Sequence, residues 1–440
     1  MEFWFGVGVM VVGIVVSIAL HEIGHLIPAK AFGVKVTDYF VGFGKTLWST
    51  RRGETEYGVK MLPLGGFVRM VGMFPPGRAG STDAQQRTGI RGWADRAAQD
   101  ARSFSAEEVE PGQEHRAFYS LSVPRKLGVM FGGPVMNLLI SAVLFAIILT
   151  TFGQLTPTNR LAAVSDCVLP PGENRQCTPA DPAAPAAQAG LQADDVILSW
   201  GAVPVSDWDD VAGAIAEGGT GPTQVVVERD GEQVTVTVTP ALAERPVVDD
   251  DGQPVLDGGQ PVTTQVPFVG ISPAGELRPQ PITAVPGVVW DVFTGTVRVV
   301  LTLPERLIGI TQSLLGQAER DPGVMGVIGV GRFAGEIASV ELTDYGPAER
   351  AADLMSLLAS LNMALFVFNM VPLLPLDGGH IAGALVEGVR RRVAALFGRP
   401  DPGPVDTARL MPLTYVVVVA LIGMSLLLAV ADIIDPITLT

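Results

Sequence analysis

The stretch FWFGVGVMVVGIVVSIALHEIGHLIPA, residues Phe3–Ala29, decides the fold class of this 440-residue chain. A helix of about 20 apolar residues is enough to cross the ~30 Å hydrocarbon core of a bilayer, so this stretch can span it. No basic residue precedes the run, as a signal peptide would require, and the run contains ionisable residues that cleavage would discard. We therefore interpret residues 1–33 as a retained first transmembrane helix.

Three further apolar runs have the length of a membrane span, and the composition agrees, since 48% of residues are hydrophobic and only 17% are charged. We predict a polytopic α-helical membrane protein with four transmembrane helices, at residues 1–33, 125–153, 351–381 and 411–436. A fifth run, Val288–Gln317, carries charged residues at helical spacing. It fits either a fifth span or an amphipathic surface helix, and we favour the surface helix.

Positive charge is unevenly distributed along the chain. Between Lys30 and Lys126 there are fifteen Lys and Arg against ten Asp and Glu, whereas Gly153–Pro286 has five against eighteen. Because cytoplasmic loops retain Lys and Arg, we expect residues 75–124 and the arginine-rich residues 382–410 to be cytoplasmic and the acidic segment to be outside. The N- and C-termini then both lie outside.

Residues 34–74 are too apolar for a free loop, yet they contain no helical period. The segments VKVTDYFVGFGKTLWS and EYGVKMLPLGGFVRM alternate apolar and polar residues between glycines, which indicates short β-strands joined by turns. Irregular backbone at membrane depth is tolerated only where protein or a water-filled cavity covers it. We therefore predict a re-entrant, membrane-associated β-region here, followed by a flexible cytoplasmic loop over residues 75–124.

The acidic outer segment contains one predicted folded unit, at residues 157–242. Its apolar runs and turns predict helix, strand, helix and a hairpin, which together make an α+β domain. Residues 243–350 are predicted to form a linker and amphipathic surface helices. The only two cysteines, Cys167 and Cys177, fall in the outer segment, where an oxidising compartment favours a disulfide over two free thiols. The sequence contains no basic domain or module typical of nucleic-acid binding.

The pentapeptide His21-Glu22-Ile23-Gly24-His25 matches the pattern H-E-x-x-H. On a helix, residues four apart share one face, so both imidazoles can reach one metal ion at about 2.0–2.1 Å. Glu22 lies beside that face, where its carboxylate can take a proton from an attacking water. Three ionisable residues inside an apolar span are costly and indicate function. The alternative without a catalytic function is that the histidines belong to a helix end that reaches the membrane surface.

A catalytic zinc site needs a third protein ligand and an open position. Asp377 is the stronger candidate, because it ends the third apolar run in the motif NMVPLLPLDGGH, where a bare carboxylate needs a partner. Its prolines interrupt the helix, and Gly378–Gly379 permits close backbone approach. His380 is an alternative fourth ligand or a supporting residue, and His115, in the polar loop, is expected to be solvated.

Two asparagines lie in or near apolar spans, Asn137 in the second and Asn369 in the third. A buried asparagine there can form a hydrogen bond between helices, worth about 1 kcal/mol or less. It can also hold an extended substrate strand near a metal ion. We therefore treat Asn137 and Asn369 as candidate substrate-binding residues.

HEIGH in the first span, GPVMN in the second and NMVPLLPLDGG in the third together resemble the site-2 protease family of intramembrane zinc metalloproteases. The resemblance covers most of the chain. It implies one Zn²⁺ per chain held by His21, His25 and Asp377, with Glu22 as the catalytic base. It also implies that the β-region, with Gly65–Gly66 in its PLGG turn, guides an extended substrate.

Residues 157–242 resemble a PDZ domain in the sequence AGLQADDVILSWGAVPVSDW. PDZ domains bind an extended peptide by strand addition, and size exclusion of substrates is the alternative role. With one such unit and an outward N-terminus, the chain is similar to the bacterial branch that makes the second cut in membrane-anchored anti-sigma factors. The resemblance thus implies regulated intramembrane proteolysis of a single-pass substrate, in a stress response, at a site near the cytoplasmic side of the bacterial cytoplasmic membrane. The composition suggests an actinobacterium.

Two functions of other classes fit parts of the sequence. A catalytically inert membrane scaffold would use only the PDZ-like unit, but the intact Glu22 argues against it. A metal transporter would need further ligands along a path through the membrane, and the apolar runs offer essentially none.

Overall fold

The computed structural model describes residues 1–76, 89–169, 175–178, 180–247, 256–257, 260–318, 320–321, 323–340 and 346–438. The chain forms two compact units. The first consists of Met1–Phe152 and Pro281–Thr440, and the second of Gly153–Gln280.

The helices, in chain order, are α1 (Glu2–Ala31), α2 (Gly89–Glu107), α3 (Val123–Ile147), α4 (Pro185–Ala189), α5 (Trp208–Gly218), α6 (Val285–Leu301), α7 (Leu303–Leu314), α8 (Val327–Ser339), α9 (Pro347–Asn369), α10 (Asp377–Leu396) and α11 (Met411–Ile434). The strands are β1 (Val36–Arg52), β2 (Thr55–Met70), β3 (Gln154–Val164), β4 (Val196–Trp200), β5 (Val203–Pro204), β6 (Thr223–Arg229), β7 (Glu232–Val238), β8 (Ala241–Pro246), β9 (Leu256–Asp257), β10 (Gln260–Pro261), β11 (Thr263–Phe268) and β12 (Ile271–Arg278).

Five helical segments of the described chain are long and apolar enough to cross a membrane. They are Glu2–Ala31, Val123–Phe152, Ile282–Leu301, Pro347–Asn369 and Thr407–Ile434. The four predicted spans are among them, and the fifth overlaps the run that we assigned to a membrane surface. Length and composition do not separate a spanning from a surface position, so the count of four remains a prediction.

The first unit is built around α1, which packs closely against α3. Gly24 of α1 and Gly132 of α3 meet backbone to backbone, and a Cβ atom on either glycine would overlap the other's carbonyl group. Small residues at such crossings let membrane helices approach closely. On another side of α1, Met10 packs against Leu354 of α9, and Ser17 accepts a hydrogen bond from Asn362 at 3.0 Å. The two helices therefore run in the same direction.

The predicted β-region is present as a long hairpin of β1 and β2. Both strands bend at glycines, with Gly42 and Gly65 at positive φ, so that Tyr39 of β1 lies opposite both Tyr57 and Val68 of β2. A glycine adopts positive φ without steric cost, which explains why the bends fall there. Several large apolar side chains of the hairpin are exposed, among them Phe43, Leu47, Trp48, Val59, Met61 and Leu62.

Three predictions about the helices and loops of the first unit are wrong. The loop 75–124 contains helix α2, which Arg102 ties to Asp406 by a 2.7 Å ion pair. The third predicted span, 351–381, is interrupted, since α9 ends at Asn369 and Asp377 begins a separate helix. That helix, α10, also occupies half of the predicted loop 382–410, because Lys126 of α3 pairs with its buried Glu387 at 2.7 Å.

The second unit has a six-stranded sheet with the order β12-β3-β4-β6-β7, in which β5 also pairs with β4. Its core contains Leu161, Ile197, Trp200, Val211, Val225 and Val227. The unit extends beyond the predicted end at 242, because β12 pairs with β3 along the sheet edge. Residues 263–278 are therefore strands rather than a linker. Cys167 and Cys177 form the expected disulfide.

A partly buried ion pair braces this sheet. Asp195, which is 1% exposed and precedes β4, accepts hydrogen bonds from Arg229 at the end of β6, at 2.7 and 2.8 Å, and from the backbone N–H of Gln192. Burial raises the pKa of Asp195, but these donors outweigh it and hold the pKa below its ordinary value. The folded state therefore favours the ionised form of Asp195 more strongly than the unfolded state does.

We expect Asp195→Asn to lower the free energy of unfolding of the second unit by about 2 kcal/mol at neutral pH, because the substitution removes the charge-assisted hydrogen bonds that the carboxylate accepts from Arg229. Because the pKa of Asp195 is lower in the folded than in the unfolded state, the ion pair stabilises the fold fully at pH values above the unfolded pKa of about 3.9. This stabilisation is lost as the pH falls below that value and through the folded pKa. Amide hydrogen exchange of β4 and β6 in the full chain measures the effect. Asp194→Asn, at the exposed neighbouring position, is the matched control. Equal exchange in both variants at neutral pH would contradict the prediction.

Candidate metal centre

The two histidines of the HEIGH motif project from one face of α1, one helical turn apart. Nε2 of His21 and Nε2 of His25 lie 3.3 Å from each other. Nδ1 of His25 donates a hydrogen bond to the backbone carbonyl of Val129 on α3 at 2.8 Å. Since the carbonyl can only accept, Nδ1 carries the proton and the lone pair of Nε2 is free to bind a metal ion.

The third residue, Asp377, reaches the histidines because the chain breaks after α9. Pro372 and Pro375 interrupt the helix, and α10 begins with Asp377 itself. The glycines that follow are required, since a Cβ on Gly378 would overlap the carbonyl of Val371, and one on Gly379 would lie 2.6 Å from the backbone nitrogen of Leu374. This close approach was predicted from the sequence.

The three candidate ligand atoms have the spacing of a metal site. Oδ2 of Asp377 lies 3.4 Å from Nε2 of His21 and 3.3 Å from Nε2 of His25. In a tetrahedral zinc site with bonds of about 2.0–2.1 Å, ligand atoms are about 3.3–3.4 Å apart. Oδ2 of Asp377 is also buried without a hydrogen-bond partner within the described chain. The three residues therefore fit a bound Zn²⁺ ion.

Helix α3 closes one side of this centre through Gly133. A Cβ on Gly133 would overlap Nε2 of His25 and lie 2.8 Å from Cε1 of His21. Only a glycine leaves room for both imidazoles at this position. Pro134 follows inside α3, and the buried Asn137 lies one turn further along the same helix.

The β-region lies against the remaining residue of the motif, Glu22. A Cβ on Gly66 would lie 2.9 Å from Cγ of Glu22, so the backbone of β2 passes directly beside this carboxylate. The neighbouring Gly65 packs against the ring of Phe43 at positive φ. Tyr39 of β1 donates a hydrogen bond to the carbonyl of Ala19 at 2.9 Å, which fixes the hairpin to α1.

The four other polar residues singled out in the sequence have different surroundings. Asn137 is 1% exposed, and its Oδ1 has no partner within the described residues. Asn369 is the last residue of α9 and is partly buried. His380 packs against the ring of Phe74, with centroids 6.3 Å apart, and is not part of the His21, His25 and Asp377 cluster. His115 lies in an exposed turn.

Sequence reasoning missed three contacts that shape the site. Gly133 begins the motif GPVMN, but its steric role beside the imidazoles leaves little trace in a sequence, and neither does the hydrogen bond that the backbone carbonyl of Val129 accepts. The buried hydrogen bond between Ser17 and Asn362 joins α1 to α9 one turn before His21. Its signal was available, because both are polar residues inside apolar runs.

The apolar helices and the largely enclosed triangle of two imidazoles and a carboxylate define a membrane protein with a metal centre of the metallohydrolase kind. Comparison with known proteins gives the particular family. Residues 9–398 match peptidase family M50. Over 449 residues, all of both chains, the sequence is 34% identical to zinc metalloprotease Rip1 of Mycobacterium tuberculosis. It is also 29% identical to metalloprotease MmpA of Caulobacter vibrioides, over 86% of this chain and 85% of that protein.

The chain therefore belongs to peptidase family M50, the site-2 protease family. It is a zinc metalloprotease and a membrane protein, as predicted from its motifs, and its similarity to mycobacterial proteins agrees with the actinobacterial composition.

Proposed function

We propose that the chain hydrolyses a peptide bond within or near the transmembrane segment of a single-pass membrane protein, with Zn²⁺ held by His21, His25 and Asp377 and with Glu22 as general base. The observation that carries the proposal is the 3.3–3.4 Å triangle of ligand atoms formed between α1 and the start of α10. Three protein ligands leave one tetrahedral position open, which distinguishes catalytic from structural zinc sites.

When bound, Zn²⁺ supplies Lewis acidity that polarises a peptide carbonyl and lowers the pKa of water. Glu22 is next to His21 on α1 and partly buried, and we assign its carboxylate to the open position. It accepts the proton of the attacking water and returns it to the leaving amine. The hydrogen bond from His25 to Val129 keeps one imidazole in the tautomer and orientation that ligation requires.

The substrate is proposed to bind in an extended conformation, because a peptide bond inside a helix is shielded by its own hydrogen bonds. Gly65–Gly66 brings the backbone of β2 beside Glu22, where it can face such a strand. The unpartnered Oδ1 of the buried Asn137 offers a hydrogen-bond acceptor one turn from Gly133. Asn369, at the end of α9, is the second proposed contact.

The finer assignments rest on sequence resemblance. We propose that Gly153–Gln280 is a PDZ domain on the outer side, that the site opens toward the cytoplasm, and that the substrate is an anti-sigma factor already trimmed on its outer side. The parallel course of α1 and α9 supports the topology, since both helices then bring their C-terminal ends, and the ligands near them, to one side of the membrane.

Reconstitution of the full chain in lipid vesicles with a single-pass substrate tests the proposal. We expect a zinc chelator to reduce cleavage by at least about 100-fold, added Zn²⁺ to restore it, and the new termini to map within or beside the transmembrane segment. A soluble peptide from the same substrate is the control. Chelator-resistant cleavage, or cleavage confined to the soluble part, would refute the assignment.

A further inference from the structure

Helix α10 presents an exposed apolar face that the proteolytic site does not use. Six side chains on it are 49–81% exposed: Leu385, Val386, Val389, Val393, Leu396 and Phe397. At 3.6 residues per turn, all six fall within an arc of about 120°. The opposite side of the helix is buried, with Ile381, Ala384 and Glu387 turned inward. The exposed face is thus a continuous stripe on a helix about 30 Å long.

Arginines border this stripe on both sides. The same helical geometry places Arg390 at one edge of the arc and Arg392 at the other. Both side chains are exposed, and neither forms an ion pair within the described part of the chain. Arg391, between them in sequence, points inward and pairs with Glu387 at 3.0 Å. The only acidic residues of α10 are Asp377 and Glu387, so no carboxylate offsets the two outer arginines on that face.

A groove of about 430 Å³ follows the stripe. Val389, Val393 and Phe397 give it an apolar floor, and Arg390 and Arg399 stand at its margin. An apolar channel with cations at its rim is complementary to an amphiphile that has an apolar chain and a negatively charged head.

The position of α10 favours a membrane surface as the occupant. The segment that leads into the apolar α11 is attached to α10, since Val405 donates its backbone N–H to Glu387 at 3.2 Å and Thr407 contacts Gly383. Helix α11 exposes large apolar residues along its length, among them Leu413, Val416 and Val419. The stripe therefore lies close in the chain to an exposed apolar helix that is long enough to cross a membrane.

We propose that α10 is an interfacial helix that binds anionic phospholipid, with acyl chains along Val389, Val393 and Phe397 and a headgroup at Arg390 and Arg399. Arg392 binds a headgroup at the opposite edge of the stripe. Each arginine near an anionic membrane surface increases partitioning by about fivefold. Because α10 begins at Asp377, bound lipid holds the helix that carries one of the candidate metal ligands. The proposal does not depend on the substrate or on the proteolytic assignment.

A fluorescent label at Val393 tests this directly. Both native cysteines are in the disulfide, so Val393→Cys provides a unique thiol for an environment-sensitive dye. The full chain is reconstituted in vesicles of phosphatidylcholine mixed with phosphatidylglycerol, and either lipid carries a spin-label quencher. We expect quenching by labelled phosphatidylglycerol to exceed quenching by labelled phosphatidylcholine by about fivefold or more.

Matched variants separate the charges from general membrane contact. Adding Arg390→Gln and Arg392→Gln should remove most of the excess quenching by labelled phosphatidylglycerol and leave only the part that depends on Arg399. Arg160→Gln and Arg278→Gln, which remove the same charge from the second unit, should change nothing. A label at Ala212→Cys, exposed on α5, should not be quenched. Unchanged zinc content verifies that each variant is folded.

Three outcomes would overturn the proposal. Equal quenching by both lipids in the parent protein would leave an apolar contact without selectivity for anions. Absence of quenching by either lipid would mean that something other than lipid, such as a protein, covers the face. Release of the label from quenching by inorganic phosphate, but not by chloride at equal ionic strength, would replace the phospholipid with a soluble anion.

Discussion

Glu22→Gln should reduce the rate of substrate cleavage by about 10²–10⁴-fold while the protein keeps one zinc ion per chain. The amide has nearly the shape of the carboxylate but cannot accept the proton of an attacking water. The ligand triangle of His21, His25 and Asp377 does not include Glu22, so metal binding should survive. Cleavage of a reconstituted single-pass substrate and zinc content by elemental analysis are the two measurements.

Glu2→Gln is the matched control, because Glu2 lies on the same helix, is exposed, and forms only a 3.3 Å ion pair with Arg350. It should cleave at the parent rate. Loss of zinc together with activity in Glu22→Gln would assign Glu22 to the metal site rather than to proton transfer. Full activity in Glu22→Gln would require another base. If the parent protein showed no cleavage and Glu22→Gln kept its function in cells, the chain would be an inert scaffold.

Gly133→Ala should weaken zinc binding by about 100-fold, the upper limit for changes made outside the ligands themselves. The added methyl group would occupy the positions of the His25 and His21 ring edges. Imidazoles can rotate away, so the helices should remain folded, but the ligand atoms then lose their 3.3–3.4 Å spacing. Zinc affinity by competition with a chelator measures the effect, and cleavage should fall in parallel at limiting zinc.

Gly423→Ala provides the control in another apolar helix, since a methyl group at Gly423 meets no atom within 4 Å. It should bind zinc and cleave normally. If Gly133→Ala bound zinc with the parent affinity, α3 could not be the wall that sets the positions of the imidazoles. If it lost its helical structure as well, the effect would be one of folding and the packing argument would fail.

The sequence predicted the core of the candidate site because its signals are local. Spacing of four residues on a helix places His21 and His25 together, and an apolar context makes Glu22 costly unless it is used. Asp377 was found for a related reason, since a carboxylate at the end of an apolar run needs a partner. The structure brings it to the two histidines as expected.

The errors concern features that depend on distant contacts. Strand β12 joins the second unit because it pairs with β3, more than a hundred residues earlier, and nothing in its local pattern indicates that partner. Helix α10 appeared to be a loop because its arginines obscure the apolar stripe. Its anchor, the buried pair of Lys126 and Glu387, joins two distant segments, which neither segment alone suggests.

The interruption between α9 and α10 has a consequence for biogenesis. His21 and His25 precede Asp377 by more than 350 residues, so the imidazoles leave the ribosome long before the third proposed ligand is made. A nascent or truncated chain can thus insert its first helices without carrying a competent catalyst. Under the proposed ligand set, zinc-dependent cleavage must wait until the chain has been translated through Asp377.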